Sequence, residues 1–320
     1  MAQNLSFKEL RVAIVPNVLL GDSTIGLRLA WIFRHAGARV SYYSSLFCPA
    51  HDYFPWLDIF PVDDLNLQDI STRFDFVLCH TDWLPRSNDS MIDYLRLDNV
   101  AYTAWKKTKD TPDLNGRSIH VRGHSYSGAN RPICFDPQSG LSMTQWMDRY
   151  AHEVFGLDCP EPVPVCKEKP MEGNDVAIFP TSSGQQKNYS PWGWSWLAGR
   201  LEKEGWTVSF ICPPREHIAI QKIYKGFRVR SFPDIKELMD YLSNCAAAMS
   251  NDSGGGHLAS LLGVKTFTIT RRTSDFLFRP GFGENHVLTP LIRLRLLGRF
   301  IWRPFIPVWR IPAMLGKAPG

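Results

Sequence analysis

Three polar segments of the chain each follow an apolar, β-rich run, and they are its best candidates for chemistry. The most informative is residues 250–263, SNDSGGGHLASLLG, where an acidic, hydroxyl and glycine cluster precedes a helical pattern. Glycines let backbone amides approach a ligand closely, and a helix start offers unpaired N–H groups with positive partial charge. The segment indicates a phosphate site, or else an ordinary turn in which Asp252 or Ser253 caps the helix.

The second segment, residues 179–196, reads FPTSSGQQKNYSPWGWSW. Hydroxyl groups and a lysine beside backbone amides suit a diphosphate. The alternative is a surface loop before a helix, with Ser190 as the cap and Pro191 at the first helical position.

The third segment, residues 19–26, reads LLGDSTIG and places Asp22 just after the first predicted strand. A carboxylate at the end of a strand is suited to act as a general base. Aspartate is also a frequent cap of the helix that follows such a turn. The segment therefore predicts either a catalytic base or a helix cap.

The elements that position these segments alternate in type. β-rich runs at residues 11–16, 39–45 and 74–79 accompany a helical pattern that ends at Gly37, and a similar alternation restarts at residue 176. Strands alternating with helices predict parallel sheets with crossover helices. We therefore predict an α/β chain of two facing, doubly wound Rossmann-like domains, with ligands at the carboxyl ends of the strands and an active site in the interdomain cleft.

A proline-rich stretch marks the boundary between these domains, because residues 159–174 contain four prolines. We predict an N-terminal acceptor-binding domain, a linker, a C-terminal nucleotide-sugar-binding domain and a basic aromatic tail. Their bounds are residues 1–158, 159–172, 173–287 and 288–320. Residues 105–142 are polar and predicted to be irregular, which is typical of functional or mobile regions.

Composition and charge exclude several classes of protein. The 320 residues are 44% apolar and 21% charged, as in a globular protein with a substantial core, and we expect no membrane-spanning helix and no secretory signal. Seven scattered cysteines without a CxxC pair indicate free thiols in a reducing cytoplasm. Six basic and no acidic residues fall within 288–320, leaving 30 basic against 31 acidic elsewhere, so a nucleic-acid partner is not expected.

Taken in order, the three segments resemble the lipopolysaccharide core heptosyltransferase family (glycosyltransferase family 9, GT-B fold). The resemblance covers about residues 11–270 and includes the helix MTQWMDRYAHEVFGLD before the linker. The matching residues are Gly21-Asp22, Ser182-Ser183 with Lys187, Asp252-Ser253-Gly254, His257-Leu258-Ala259 and Leu262-Gly263.

The resemblance implies an inverting glycosyltransferase with two catalytic residues. Asp22 would remove the proton of the acceptor hydroxyl, and Lys187 would stabilise the leaving diphosphate. The donor would bind to Thr181, Ser182, Ser183, Lys187, Glu216, Asp252, Ser253, Gly254, Gly255, Gly256 and His257. No D-x-D pair is present and HVRGH lies in a predicted loop, so no metal and no cofactor are expected.

The residues predicted to bind the acceptor are basic residues of the irregular region, which form either an acceptor-binding loop or a solvated surface. They are Lys106, Lys107, Arg117, Arg122 and Arg131. The tail mixes arginines with aromatic residues, which suits an anionic membrane surface or packing back onto the fold, including the N-terminal domain. Arg271 and Arg272 stand where the family usually has Gly-Pro, which leaves the donor open.

We therefore predict transfer of heptose from ADP-heptose to a lipopolysaccharide core acceptor, in the cytoplasm and peripheral to the inner membrane. Three alternatives remain. One is a related transferase for another nucleotide sugar, the second is a non-catalytic nucleotide- or sugar-binding protein, and the third is a two-domain sugar-nucleotide epimerase.

Overall fold

The computed structural model describes residues 7–63, 65–85, 88–166, 173–296 and 298–319. The chain divides into two compact units, residues 1–166 and 167–320. The last six residues of the predicted linker lie outside the described residues. The first few are fixed to the N-terminal unit, where Arg28 donates hydrogen bonds to the carbonyl oxygens of Cys159 and Glu161.

The N-terminal unit is a five-stranded parallel sheet with helices and a separate antiparallel hairpin. The strands are β1 (Arg11–Val15), β2 (Arg39–Tyr43), β3 (Asp58–Phe60), β4 (Phe76–His80) and β5 (Val100–Thr103), and the hairpin pairs β6 (Ile119–Val121) with β7 (His124–Tyr126). The helices are α1 (Leu20–His35), α2 (Leu67–Arg73), α3 (Asn88–Leu95) and α4 (Met143–Phe155).

Apolar alternation and good caps explain the local structure of this unit. Strand β1 buries four of its five residues, and rings from several elements pack together, with Phe33 5.6 Å from Phe76 and 5.4 Å from Phe155 between centroids. Helix α4 begins with a reciprocal capping box between Ser142 and Gln145, and it ends at Gly156 in the left-handed conformation.

The C-terminal unit is a six-stranded parallel sheet with helices and a second hairpin. The strands are β8 (Asp175–Phe179), β9 (Thr207–Ile211), β10 (Arg228–Arg230), β11 (Cys245–Asn251), β12 (Lys265–Ile269) and β13 (Asn285–Leu288), and the hairpin pairs β14 (Leu294–Leu296) with β15 (Arg299–Ile301). The helices are α5 (Pro191–Lys203), α6 (His217–Ile223), α7 (Ile235–Ser243), α8 (Gly254–Leu261) and α9 (Arg310–Leu315).

Strand order fixes where each unit can hold a ligand. The sheets are ordered β3-β2-β1-β4-β5 and β10-β9-β8-β11-β12-β13. In both, the chain leaves the first strand in one direction and returns on its other side, so a crevice opens between β1 and β4 and between β8 and β11. Such topological switch points, at the carboxyl ends of the strands, are where doubly wound sheets bind ligands.

The tail packs on the C-terminal unit. Trp302, Ile306, Val308 and Ile311 are buried in the same apolar cluster as the strands β8 and β9, and the indole of Trp206 donates to the carbonyl of Gly316 at 3.0 Å. No helix in the described part of the chain has the length and apolarity needed to cross a bilayer.

The largest local difference from the sequence prediction is the start of α1. The sequence predicts a helix that follows the turn carrying Asp22, yet the helix begins at Leu20, so Asp22 lies within its first turn. Glycine at 21 and the hydroxyls at 23 and 24 mask the helical pattern. The hydroxyl of Ser23 bonds back to the carbonyl of Asn17 and that of Thr24 to the carbonyl of Leu20.

Candidate functional site

At the switch point of the C-terminal sheet, the loops after β8 and β11 bring Lys187 and Asp252 together. The Lys187 Nζ lies 3.3 Å from an Asp252 carboxylate oxygen. The lysine side chain is about one-third exposed and the aspartate is nearly buried, with 31% and 10% of their surfaces accessible. The two segments, 65 residues apart in sequence, therefore form one charged site.

Asn251, at the end of β11, ties the two loops together. It is fully buried, and its Oδ1 accepts from the amide of Tyr189 at 2.8 Å while its Nδ2 donates to the carbonyl of Pro180 at 2.8 Å. Both partners belong to the β8 loop. Because an unsatisfied buried amide is costly, Asn251 fixes both ends of the loop that carries Lys187. The sequence interpretation did not single out this residue.

Helix α8 begins at this site without a side-chain cap. Ser253 occupies the N-cap position but makes no capping hydrogen bond, and its buried hydroxyl has no partner among the residues described. The amides of the first turn, at residues 254–256, are therefore left for another acceptor. Of the two alternatives raised by the sequence, an anion site and an ordinary capped turn, this geometry favours the anion site.

The second and third glycines of the triple glycine have a packing role that the sequence interpretation missed. A Cβ at Gly255 would meet the Phe179 ring at 2.4 Å, and one at Gly256 would meet the Ser250 hydroxyl at 2.4 Å. Both residues are buried. Glycine at these positions lets α8 lie directly on β8 and β11, which brings its first turn to the switch point.

His257 lies in the first turns of α8 and is neutral near pH 7. Burial lowers the pKa of its imidazole to about 4. The nearby Asp252 carboxylate and a hydrogen bond to the Phe278 backbone raise the pKa, but by less than burial lowers it. Its Nδ1 is buried and has no partner within the described chain. A neutral imidazole with a vacant nitrogen can make a hydrogen bond to a sugar hydroxyl or a phosphate oxygen, but it adds no positive charge.

The other predicted donor residues lie around the same edge. Thr181 donates to a Glu216 carboxylate oxygen at 2.9 Å, which joins the ends of β8 and β9. Ser182 donates to the side chain of Asn188 at 2.7 Å and so folds the β8 loop upon itself. Ser183 is exposed. The structure thus brings all the predicted donor residues to one edge of the sheet.

In the N-terminal unit, Asp22 lies at the equivalent edge. It is the third residue of α1, and the N-cap is Leu19, so Asp22 is not the helix cap. Burial and the Asp22 carboxylate together raise the pKa of the Tyr42 phenol, which donates to the Ser23 carbonyl at 2.5 Å. An acidic residue in the first turn suits the helix dipole, and its side chain is half-buried.

Comparison with known proteins identifies this arrangement. Residues 136–289 match the family model described as glycosyltransferase family 9 (heptosyltransferase). This stretch, somewhat less than half of the chain, is similar to family 9 domains. It contains every predicted donor residue.

Solved structures with the same fold extend over nearly the whole chain. The ADP-heptose lps heptosyltransferase II of E. coli is 16% identical, with 96% of this chain and 98% of that chain covered and a TM-score of 0.65. A family 9 glycosyl transferase of Veillonella parvula is 13% identical over 89% and 87% of the chains, with a TM-score of 0.64. E. coli heptosyltransferase WaaC with ADP is 15% identical over 87% and 93%, with a TM-score of 0.57. No curated protein sequence matches the chain.

The family 9 match over residues 136–289 and the GT-B fold together support a glycosyltransferase. The prediction of the family from three ordered segments is confirmed, as is the prediction of an α/β fold with two Rossmann-like sheets. These findings favour a transferase over the epimerase and non-catalytic alternatives.

Two of the predicted acceptor residues of this glycosyltransferase are placed elsewhere by the structure. The Arg117 guanidinium forms hydrogen bonds within the N-terminal unit, donating to the carbonyls of Leu95 and Val100 and to the side chain of Asn130. Arg122 is in the β6–β7 turn and pairs with Asp75 at 3.3 Å. Asp75 precedes β4, so Arg122 lies at the amino edge of the sheet, opposite the switch point. These contacts account for the Arg117 guanidinium, whereas the Arg122 side chain remains half exposed.

The remaining acceptor candidates stay near the carboxyl end of β5. The Arg131 carbonyl accepts from Thr103, the last residue of β5, while its guanidinium pairs with Glu153 at 2.5 Å. Lys106 bridges to Cys134 through the backbone and Lys107 is exposed. His120 and His124, flagged by the sequence HVRGH, are in the hairpin strands, and within the described chain no group of three metal-ligating side chains forms.

A polar cluster at the N-terminal switch point escaped the sequence interpretation. Asn17, after β1, hydrogen-bonds to Asp82, whose amide donates to His80 Nδ1 at 3.2 Å at the end of β4. Trp83 donates to the Pro16 carbonyl at 2.7 Å. The residues are far apart in sequence and match no motif. Strand order alone places them next to the turn that carries Asp22.

Proposed function

We propose that the chain is an inverting heptosyltransferase that moves heptose from ADP-heptose to a lipopolysaccharide core acceptor without a metal ion. The observation that carries this proposal is the Lys187–Asp252 pair beside the uncapped N-terminus of α8, at the switch point of a family 9 domain. A cation and free amides at one edge suit a nucleoside diphosphate. Two solved E. coli structures of this fold carry ADP or an ADP-fluoroheptose, which supports the choice of donor.

In the proposed reaction, Asp22 accepts the proton of an acceptor hydroxyl as its oxygen attacks the anomeric carbon. The bond from that carbon to the diphosphate breaks, ADP leaves with the electron pair, and the configuration inverts. Lys187 and the first-turn amides of α8 stabilise the charge that grows on the diphosphate. This interaction strengthens in the transition state, as catalysis requires.

The remaining donor residues orient the nucleotide sugar. Glu216, held by Thr181, offers carboxylate oxygens to the ribose hydroxyls at the end of β9. His257 and Asp252 face the sugar and phosphate. Arg271 and Arg272 follow β12 at the same edge and are exposed. Because they replace the usual Gly-Pro, a different nucleotide sugar is the second candidate donor.

The experiment that tests this function compares Asp22→Asn with the wild type. The variant keeps the size of the side chain and removes the basic carboxylate, so heptose transfer should fall by about 100-fold or more while ADP binding, measured by calorimetry, stays within about twofold. A thermal-shift series with ADP, UDP, GDP, CMP and ADP-heptose identifies the donor. Stabilisation by UDP, GDP or CMP species in place of ADP would show that another nucleotide sugar is the donor. Unchanged turnover in the variant would reject Asp22 as the base.

The proposal also places the enzyme at the cytoplasmic face of the inner membrane, because its acceptor is a membrane lipid. The β14–β15 hairpin supports this. Residues 291–296, LIRLRL, are all exposed, and Phe300, opposite Arg295, packs toward the core. Leu294 and Leu296 therefore form the outer, apolar face of the hairpin, and the nearby arginines suit anionic headgroups.

Vesicle sedimentation tests the membrane contact. Wild-type protein should pellet with vesicles of phosphatidylglycerol and phosphatidylethanolamine at low salt and less so in pure phosphatidylcholine. A Leu294→Ser, Leu296→Ser double variant should lose most of this binding. The matched control is Ile218→Ser, which removes an exposed apolar residue (70% accessible) on α6. Equal pelleting of all three proteins would reject the hairpin as a membrane contact.

A further inference from the structure

One arginine of the C-terminal tail reaches the loop that carries Lys187. The Arg303 Nε donates to the Asn188 carbonyl at 2.7 Å, and its terminal nitrogen donates to the Gln185 carbonyl at 3.3 Å. These carbonyls belong to residues on either side of Lys187. A single guanidinium therefore spans the turn from which the lysine side chain projects.

The turn that Arg303 holds is short and makes few other bonds. Residues Gln185–Lys187 form one 3-10 turn, closed by the amide of Lys187 on the carbonyl of Gly184 at 2.9 Å. The backbone amides of the turn bond only locally in the described structure, so its attachment to the rest of the unit depends on its carbonyls. Arg303 binds two of these carbonyls, between the two points where Asn251 fixes the loop, and so adds an attachment in the middle of the turn.

A second contact brings the tail to the next residue of the loop. Trp302 is buried against Tyr189, with 6.3 Å between ring centroids, and the Arg303 guanidinium lies 5.2 Å from the Trp302 ring centroid. The amide of Tyr189 is fixed on its other side by Asn251. The loop is thus held by β11 at one point and by the tail at another.

We propose that Arg303 is a positioning residue for Lys187, so that the C-terminal tail is part of the site for the nucleoside diphosphate. The inference rests on the proposed role of Lys187 toward that diphosphate. It goes beyond the family assignment, because Arg303 follows the matched residues 136–289. Without Arg303 the ends of the loop stay fixed by Asn251, but the turn between them loses two hydrogen bonds, so the Lys187 ammonium is held less firmly 3.3 Å from Asp252.

The chemistry of the residue is specific to arginine. Its planar fork presents several N–H donors in fixed directions, whereas a lysine ammonium is a point charge on a flexible stem. A lysine at 303 would keep the positive charge but would not span both carbonyls. The comparison between Arg303→Lys and Arg303→Ala therefore separates positioning from a simple electrostatic contribution to diphosphate binding.

The experiment measures ADP affinity and backbone hydrogen exchange in Arg303→Ala, Arg303→Lys and the wild type. The matched control is Lys317→Ala, which removes one exposed positive charge from the same tail. In Arg303→Ala the dissociation constant for ADP should rise by about tenfold or more, as expected for loss of charged hydrogen bonds. The amides of residues 185–189 should exchange faster even without nucleotide, while those of β12 stay protected.

The outcomes distinguish this inference from the proposed function. Arg303→Lys should exchange nearly as fast as Arg303→Ala at the loop, and its ADP affinity should recover by less than half of the loss. If Lys restores affinity fully, or if exchange in the loop is unchanged in Arg303→Ala, the positioning role is wrong. If the wild type does not bind ADP, the proposed function fails, and loop exchange still decides whether Arg303 holds the turn. If the amides of β12 also lose protection in Arg303→Ala, that variant has lost structure beyond the loop. The loop exchange and ADP affinity of Arg303→Lys then test the positioning role.

Discussion

Lys187 and Asp252 neutralise each other, so their effects on nucleotide binding should not be additive. In Lys187→Ala, the carboxylate remains beside the diphosphate with no cation, and ADP affinity should fall by at least about tenfold. Adding Asp252→Asn in that background removes the like charge and should recover roughly fivefold in affinity. Calorimetric titration of ADP into the two single variants and the double variant measures this coupling.

The single Asp252→Asn variant is the control for this cycle. With Lys187 present and no longer paired, its ADP affinity should be equal to or tighter than that of the wild type. If Asp252→Asn weakens ADP binding to the same degree in both backgrounds, the pair does not act as a unit at the diphosphate.

His257 should make the unfolding free energy depend on pH. The folded-state pKa lies near 4, below the usual 6.5, because the imidazole is buried. The unfolded chain therefore binds a proton below pH 6.5 that the folded chain does not bind. The contribution of neutral His257 is complete above about pH 6.5 and is lost as the pH falls toward 4, by about 3 kcal/mol in total.

Urea unfolding at pH 7, 6, 5 and 4.5 measures this loss by comparison with His257→Gln, which does not titrate. The variant should have the shallower dependence on pH, and the gap between the two proteins should narrow as the pH falls. Parallel curves from pH 7 to 4.5 would show that the imidazole is not held neutral by burial.

The charged residues of the site could be predicted from sequence, because each follows an apolar strand in a motif with fixed spacing. Asp252 and Lys187 are of this kind. The partners of Arg117 and Arg122 could not be predicted, because a run of basic residues in a polar region carries no sign of them, and they come from α3, β5 and the residue before β4. His80 and Asn17 were missed because they become neighbours only through strand order.

At the scale of elements, the packing of α8 on its sheet should be sensitive to a single methyl group. Gly255→Ala places a Cβ 2.4 Å from the Phe179 ring and should destabilise the C-terminal unit by about 1–3 kcal/mol. The matched control is Gly199→Ala in the middle of α5, where the nearest atom is 4.0 Å away. The same substitution there should stabilise by up to about 1 kcal/mol, since alanine is the better helix former.

Chemical denaturation of the two variants gives the sign of each change directly. If Gly255→Ala is as stable as Gly199→Ala, α8 is not in close contact with β8. ADP affinity should also fall in Gly255→Ala, since the added methyl group pushes the first turn of α8 away from the Phe179 ring.

Element types were largely predictable because the long helices and central strands have strong periodicity. Strand β1 ends within one residue of its predicted position, and helix α4 begins at the predicted residue 143. The edge strands β3 and β10 and the hairpin strands have three residues each, too few to show a period. Their formation depends on pairing with a neighbour, which no local pattern records.

At the scale of the whole molecule, the tail shows how composition leaves the position of a segment open. Its arginines and aromatic residues were compatible with a membrane surface or with packing back onto the fold, and Trp302 and Ile311 are buried in the core of the C-terminal unit. The apolar residues divide between that core and the exposed hairpin according to tertiary contacts. Composition alone therefore left the position of this segment open, and tertiary contacts fix the buried part of it.

The two units have separate sheets and separate apolar clusters, so we expect calorimetry to resolve two unfolding transitions. The residues proposed to bind the nucleotide all lie within 167–320. ADP at about 100 times its dissociation constant should raise one transition by about 5–10 °C and leave the other unchanged. Trp302→Ala should lower the ADP-sensitive transition, and Phe33→Ala, which removes a fully buried ring from the N-terminal unit, should lower the other one. Each truncation costs about 3–5 kcal/mol. A single transition that responds to ADP and to both variants would mean that the two units unfold cooperatively. A shift of the Phe33-sensitive transition by ADP would mean that the nucleotide binds to the N-terminal unit, against the proposal.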